Sequence, residues 1–141
     1  MHVSGFDHIA IPGRHIEEAL RFYRSLGFTV PAPEEWRENP TRIVAIRFGN
    51  NKINIHTPDA WEDPDFTLRG HKALPGCGDI CFVWDGSINE LLETLKRANA
   101  PIEAGPVELT GARRNGTARG VSVYTRDPDQ NLLEFIVYES A

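Results

Sequence analysis

One order of elements, a strand followed by a helix and further strands, occurs twice in the sequence. This duplication limits the possible folds more than any other feature. In the first half, a β-like run over residues 6–11 precedes a helical pattern that begins at Ile16 and ends at Gly27. Two further β-like runs follow, over residues 43–48 and 52–56, and a turn-like Gly-Asn-Asn sequence joins them.

The second half repeats this order with a clearer pattern. A strand candidate over residues 79–84 precedes a helix that begins with a capping box formed by Ser87 and Glu90. Three strand candidates follow that helix, at residues 106–110, 121–125 and 132–138. The corresponding second strand of the first half is less clear, because prolines obscure the pattern around Thr29 and Val30.

The sequence therefore predicts an α+β fold made of tandem β-α-β-β-β modules. We assign module 1 to residues 1–57 and module 2 to residues 76–141. The segment between them, residues 58–75, is polar and rich in turn-forming residues, which is typical of a linker.

Charge and hydropathy exclude several classes of protein. The formal net charge of −5 argues against nucleic-acid binding, because contacts to phosphates need a basic patch. The basic cluster of Arg113, Arg114 and Arg119 lies among glycines and indicates a solvated loop, with anion binding as the alternative. No apolar run approaches the roughly 20 residues of a membrane helix, and a signal pattern is lacking, so we expect a cytoplasmic protein.

Residues that commonly bind metals occupy comparable places in the two halves. His8 opens the first strand of the first half, and Asp79 opens the corresponding strand of the second half. His56 ends the last strand of the first half, and Glu134 lies in the last strand of the second half. The separation along the sequence between His8 and Asp79 is similar to that between His56 and Glu134, as expected for a duplication with a few loop insertions.

Together these four side chains form a chemically plausible metal site. The carboxylate of Glu134 lies in an apolar strand, where burial is costly unless something compensates its charge. Two imidazoles and two carboxylates would neutralise a dication and leave positions for water or substrate. We therefore predict that His8, His56, Asp79 and Glu134 bind one divalent ion of zinc, nickel, manganese or iron.

Each of these residues also has an ordinary structural interpretation. Either histidine could be a hydrogen-bonded residue at the end of a strand. Glu134 could pair with Arg47 or Arg126, and Asp79 could cap a loop. Their joint occurrence at comparable places favours the metal site.

Several segments resemble the vicinal oxygen chelate superfamily, which includes glyoxalase I, bleomycin-resistance proteins and dioxygenases. Residues 6–11 and 16–28 resemble the opening of these domains, and residues 126–134 resemble their closing motif, RDPDGNxxE, with Gln130 in place of the usual glycine. The segments most similar to the glyoxalase domain-containing protein 5 group are residues 48–56, 75–82 and 105–108.

The resemblance implies a half-open barrel of two modules around one metal ion. His8, His56 and Glu134 match ligand positions, whereas Asp79 lies where many relatives have histidine. His71 is similarly implied to line the substrate cavity, with a surface position in the linker as the alternative. The expected partners are a small-molecule substrate and a second copy of the chain, since open sheet edges favour a homodimer.

The leading functional hypothesis is a metal-dependent lyase or isomerase similar to lactoylglutathione lyase. Adjacent oxygens of the substrate would bind the metal, and Glu134 would act as general base to form a metal-bound enediolate. Two alternatives remain open. His8, His56 and Glu134 also match the two-histidine, one-carboxylate set of iron(II) ring-cleaving dioxygenases. A non-enzymatic drug-binding resistance protein is compatible with the acidic composition.

Overall fold

The computed structural model describes residues 1–138 of the 141-residue chain. These residues belong to two compact units, of which the first spans Met1–Cys77 and the second begins at Gly78. Each unit contains one β-sheet together with helices, so the predicted α+β class is confirmed. Within residues 1–138, none of the helices has both the length and the apolar character needed to cross a membrane.

The first unit is built on a three-stranded sheet. Its elements are β1 (His8–Pro12), α1 (Ile16–Ser25), α2 (Pro33–Glu38), β2 (Ile43–Phe48), β3 (Asn51–His56) and α3 (Pro58–Trp61). The strand order is β1-β3-β2, with β1 parallel and β2 antiparallel to the central strand β3. In place of a second strand around Thr29 and Val30, the structure has one isolated β-bridge, between Thr29 and Arg47.

Helix α1 follows from its sequence pattern. Its apolar residues are spaced three and four apart, and Ile16, Ala19, Leu20 and Tyr23 are all buried. Acidic residues in the first turn and Arg24 in the last turn complement the helix dipole.

The second unit is built on a four-stranded sheet. Its elements are β4 (Asp79–Val83), α4 (Ile88–Arg97), β5 (Ala104–Thr110), α5 (Arg113–Gly116), β6 (Arg119–Arg126) and β7 (Leu132–Tyr138). The strand order is β4-β7-β6-β5, and β4 runs parallel to β7. The predicted capping box is present, since Ser87 Oγ accepts from the Glu90 N–H and the Glu90 carboxylate accepts from the Ser87 N–H.

A buried turn fixes the start of β4 against the start of β7. Asp127 Oδ1 accepts hydrogen bonds from the backbone N–H groups of Asp129 and Asn131. Asn131 in turn donates to Asp127 Oδ2 and accepts from the Gly78 N–H, with donor–acceptor distances of 2.8 Å in both cases. A Cβ atom at Gly78 would lie 2.8 Å from Asn131 Oδ1, so this close approach needs glycine. The turn therefore sets where Asp79 begins its strand.

Gln130 adopts a left-handed conformation in this turn, with φ of 72°. An L-residue with a Cβ atom is disfavoured there by about 1–2 kcal/mol, whereas glycine is not. We expect Gln130→Gly to raise the free energy of unfolding by about 0.5–1 kcal/mol, after allowing for the greater freedom of glycine in the unfolded chain. Urea denaturation measures the change. Gln130→Ala keeps the Cβ atom and should give no increase; equal stabilisation by both variants would refute the strain argument.

Candidate active-site residues in the two units

Both predicted histidines line one cavity of the first unit, with a volume of about 300 Å³. His8 stands at the start of β1 and His56 at the end of β3. The other lining residues are Ala10, Ile43, Asn54, Phe66, Leu68, Arg69, Gly70 and Ala73.

Strand pairing explains why these side chains share a face. In the parallel ladder, Ala10 lies opposite Asn54, and His8 precedes Ala10 by two residues. Side chains of paired residues point to the same side of a sheet, and alternate residues of one strand do so too. His8, Asn54 and His56 therefore face the same cavity.

His8 is oriented by its neighbour Asp7. The distance from His8 Nδ1 to Asp7 Oδ1 is 2.7 Å, so a proton on Nδ1 is donated to the carboxylate. In the tautomer that carries its proton on Nδ1, Nε2 keeps a lone pair. A metal-binding histidine is commonly oriented by a carboxylate that accepts a hydrogen bond from its other ring nitrogen.

His56 is held in its neutral form by its surroundings. The side chain is buried, and its ring packs edge-on against Phe66 with the centroids 5.0 Å apart. Burial lowers the pKa of His56, and the positive charge of Arg69 lowers it further. A neutral imidazole is the form that can bind a metal ion.

Residues that were predicted to form a linker make part of this cavity. Arg69 donates hydrogen bonds to the carbonyl oxygens of Trp61 and Ala73, which fixes its guanidinium at the cavity wall. His71 is exposed and lines a different cavity of about 400 Å³ that also includes Arg69. Its role in substrate binding stays a prediction.

The second unit presents the carboxylates. Cys81 of β4 and Tyr124 of β6 both lie opposite Glu134 of β7. The fully buried Ser122 donates from Oγ to Glu134 Oε2 over 2.6 Å. Asp79 is the first residue of β4, two positions before Cys81, and therefore points to the same side of the sheet.

The Glu134 carboxylate creates a negative environment for its neighbours. Partial burial raises the pKa of Cys81 to about 12, and the charge of Glu134 adds to the effect. Burial and Glu134 likewise raise the pKa of Tyr124. Among residues 1–138, Glu134 has no ion-pair partner, because Arg126 pairs with Glu103 at 3.4 Å. The carboxylate is therefore held by hydroxyl and thiol groups without a compensating cation from the described chain.

The strand registers give a direct comparison of the two units. His8 lies opposite Lys52, as Asp79 lies opposite Leu132. Two residues further along β3 and β7 come Asn54 and Glu134. By register the counterpart of Glu134 is therefore Asn54, whereas His56 corresponds to Ile136.

Asn54 was not among the predicted site residues. Its side chain is only 9% exposed, and its Oδ1 atom has no hydrogen-bond partner within the described part of the chain. The only sequence signal was its position on the same face of the strand as His56. Ser122 and Arg69 gave no distinctive signal either, because a serine in a strand and an arginine in a polar segment are common.

Among residues 1–138, no three His, Cys, Asp or Glu side chains form a group that could hold a metal ion. The first unit supplies two histidines and the second supplies two carboxylates. Metal binding by the four predicted ligands stays a prediction.

Comparison with known proteins identifies the family. A model of the Glyoxalase/Bleomycin resistance protein/Dioxygenase superfamily matches residues 5–135. The chain belongs to this superfamily. The resemblance in the opening and closing segments is thereby confirmed at the level of the superfamily, whereas the closer likeness to the glyoxalase domain-containing protein 5 group stays a prediction.

Two relatives in the superfamily are more than 30% identical. The virulence protein STM3117 of Salmonella typhimurium is 33% identical over 98% of this chain and 87% of that protein, and its crystal structure superposes with a TM-score of 0.79. The glyoxalase domain-containing protein RDO1 of Mycosarcoma maydis is 32% identical over 99% of this chain and 71% of that protein. The lactoylglutathione lyase of Agrobacterium tumefaciens shares the fold, with a TM-score of 0.68 at 21% identity over 96% of this chain and 95% of the lyase.

The lowered pKa of His56 predicts how stability depends on pH without metal. Between the ordinary histidine pKa near 6.5 and the lower pKa in the folded protein, the unfolded chain binds a proton at this imidazole that the folded protein excludes. The free energy of unfolding should therefore fall as the pH drops through this window. Urea denaturation in the presence of a chelator should show a shallower fall for His56→Gln. His2→Gln, at an exposed position, is the control and should behave like the wild type.

Proposed function

We propose that this protein is a metal-dependent lyase or isomerase of the glyoxalase type, acting on a small substrate with two adjacent oxygen atoms. The observation that carries this proposal is the Glu134 carboxylate, which Ser122 orients among hydroxyl and thiol groups without a cation from residues 1–138. Such an arrangement suits a carboxylate that meets a metal ion and a substrate. The proposal includes a cytoplasmic homodimer, as the sequence predicts.

The donor chemistry of both units fits a divalent metal ion. In the first unit, His8 has a free Nε2 atom and His56 is kept neutral. In the second, Asp79 and Glu134 supply oxygen donors and the negative charge that a dication requires. Zinc, nickel, manganese or iron bound by these four residues would act as a Lewis acid toward the oxygens of the substrate.

Glu134 is the proposed general base. While Ser122 donates a hydrogen bond to Oε2, a carboxylate oxygen that left the metal would take a proton from the carbon next to a carbonyl group. The same oxygen can return the proton to the neighbouring carbon, as an isomerisation requires. Ser122 restricts the rotation of the carboxylate and so serves as a positioning residue.

Metal content tests the proposal most directly. Plasma mass spectrometry of tag-free protein should find one equivalent of zinc, nickel, manganese or iron per chain, and a His8→Ala, Glu134→Ala double variant should lose it. His71→Ala is the matched control, since His71 lies outside the cavity of His8 and His56, and should retain the metal. Wild-type protein that stays metal-free after reconstitution would contradict the enzymatic proposal and favour a drug-binding protein.

Loss of the Ser122 hydroxyl should weaken the site without unfolding the chain. We expect Ser122→Ala to reduce zinc affinity, measured by competition with a chromophoric chelator, by about 10–100-fold, because Glu134 loses the donor that orients it. Ser122→Thr keeps a hydroxyl group and should restore most of the affinity. If the zinc affinities of the two variants were equal, or differed only as their thermal stabilities do, Ser122 would have a purely structural role.

A further inference from the structure

Asn54, which lines the cavity of the first unit, has a side-chain oxygen without a hydrogen-bond partner among residues 1–138. Asn54 is nine-tenths buried on the central strand β3, and no donor among residues 1–138 bonds to its Oδ1. A buried acceptor without a partner costs about 1–3 kcal/mol, so such groups are rare unless they serve a ligand or an ordered water. Asn54 lines the same cavity as His8 and His56.

The same cavity contains a positive charge without a counter-ion. The Arg69 guanidinium is fixed by two backbone carbonyl groups, which are neutral acceptors. Within the described residues, no carboxylate lies within ion-pair distance of it, whereas Arg14, Arg42 and Arg37 of the same unit all have acidic partners. Two of its five N–H donors are used in these bonds. The others are free to bind an anion.

The remaining wall of the cavity is apolar. It is formed by Ala10, Ile43, Phe66, Leu68 and Ala73. A cavity of about 300 Å³ lies at the small end of ligand sites. These features select a small molecule with one anionic group, a hydrogen-bond donor and an apolar body.

We propose that this cavity binds a small hydroxy-carboxylate, with its carboxylate on Arg69 and its hydroxyl group donating to Asn54 Oδ1. A carboxylate and a hydroxyl on adjacent carbon atoms present two neighbouring oxygens beside His8 and His56. The inference thus names a substrate class for the proposed function and rests on it for catalysis. Binding through Arg69 and Asn54, however, requires no metal ion.

Three matched probes test the recognition with wild-type protein kept metal-free by a chelator. Mandelate carries both groups, phenylacetate lacks the hydroxyl, and mandelamide replaces the carboxylate by a neutral amide. Titrations followed by ¹H–¹⁵N NMR, at the Asn54 side-chain amide and the Arg69 Nε signals, give the affinities. We expect mandelate to bind about tenfold more tightly than either analogue. Equal affinities, or no shifts at millimolar mandelate, would overturn the proposal.

Variants assign each contact to its residue. Asn54→Leu should lose the preference for mandelate over phenylacetate while keeping or raising the melting temperature, because it removes an unsatisfied buried group. If Asn54 had a purely structural role, Asn54→Leu would instead lower the melting temperature and leave the preference unchanged. That result would refute the contact between Asn54 and the hydroxyl group. Arg69→Lys should retain the preference for mandelate over mandelamide, and Arg69→Gln should abolish it. Arg21→Gln, at an exposed position in α1, is the charge control and should change neither preference.

The two proposals can fail separately. If the protein binds no metal but discriminates among the three probes through Asn54 and Arg69, the hydroxy-carboxylate site stands and the metal-dependent function falls. If metal binds and the probes are not discriminated, the substrate class is wrong. If Asn54→Leu reduces zinc affinity tenfold or more and leaves the probe preferences intact, Asn54 contacts the metal and its assignment to the substrate is overturned.

Discussion

The parallel pairing between the first and last strands of each unit is the constraint on which the rest of the structure depends. It joins β1 to β3 in the first unit and β4 to β7 in the second, across long connections that contain the helices. Because paired residues present their side chains on the same side, each pairing brings polar residues distant in sequence onto one face. His8 thereby meets Asn54 and His56, and Glu134 meets Cys81.

The two units share this architecture but differ in the charge of the groups on these faces. In the first, burial and the positive charge of Arg69 favour a neutral His56. In the second, Glu134 lies among Ser122, Cys81 and Tyr124, and no cation of residues 1–138 compensates it. A duplicated scaffold has thus acquired imidazole and guanidinium groups in one copy and carboxylates in the other.

Much of the fold could be predicted because its signals are local. The capping box of Ser87 and Glu90 and the apolar face of α1 depend on neighbours within one or two helical turns. The segment at residues 58–75 was interpreted as a linker, since a polar, turn-rich sequence gives no indication of what it packs against. The structure instead makes Arg69 of this segment a wall of the histidine cavity.

The sequence by itself determined the duplicated order of elements, the α+β class and four residues suited to bind metal. Only the tertiary structure decided which residues lie opposite one another. The sequence offsets made His56 the counterpart of Glu134 in the other unit. The strand registers instead make Asn54 its counterpart. The physical reason is that side chains alternate along a strand, so many registers preserve the same pattern of faces. Hydrogen bonding between strands distant in sequence selects one register. That register places the Asn54 amide on the same face as His8 and His56.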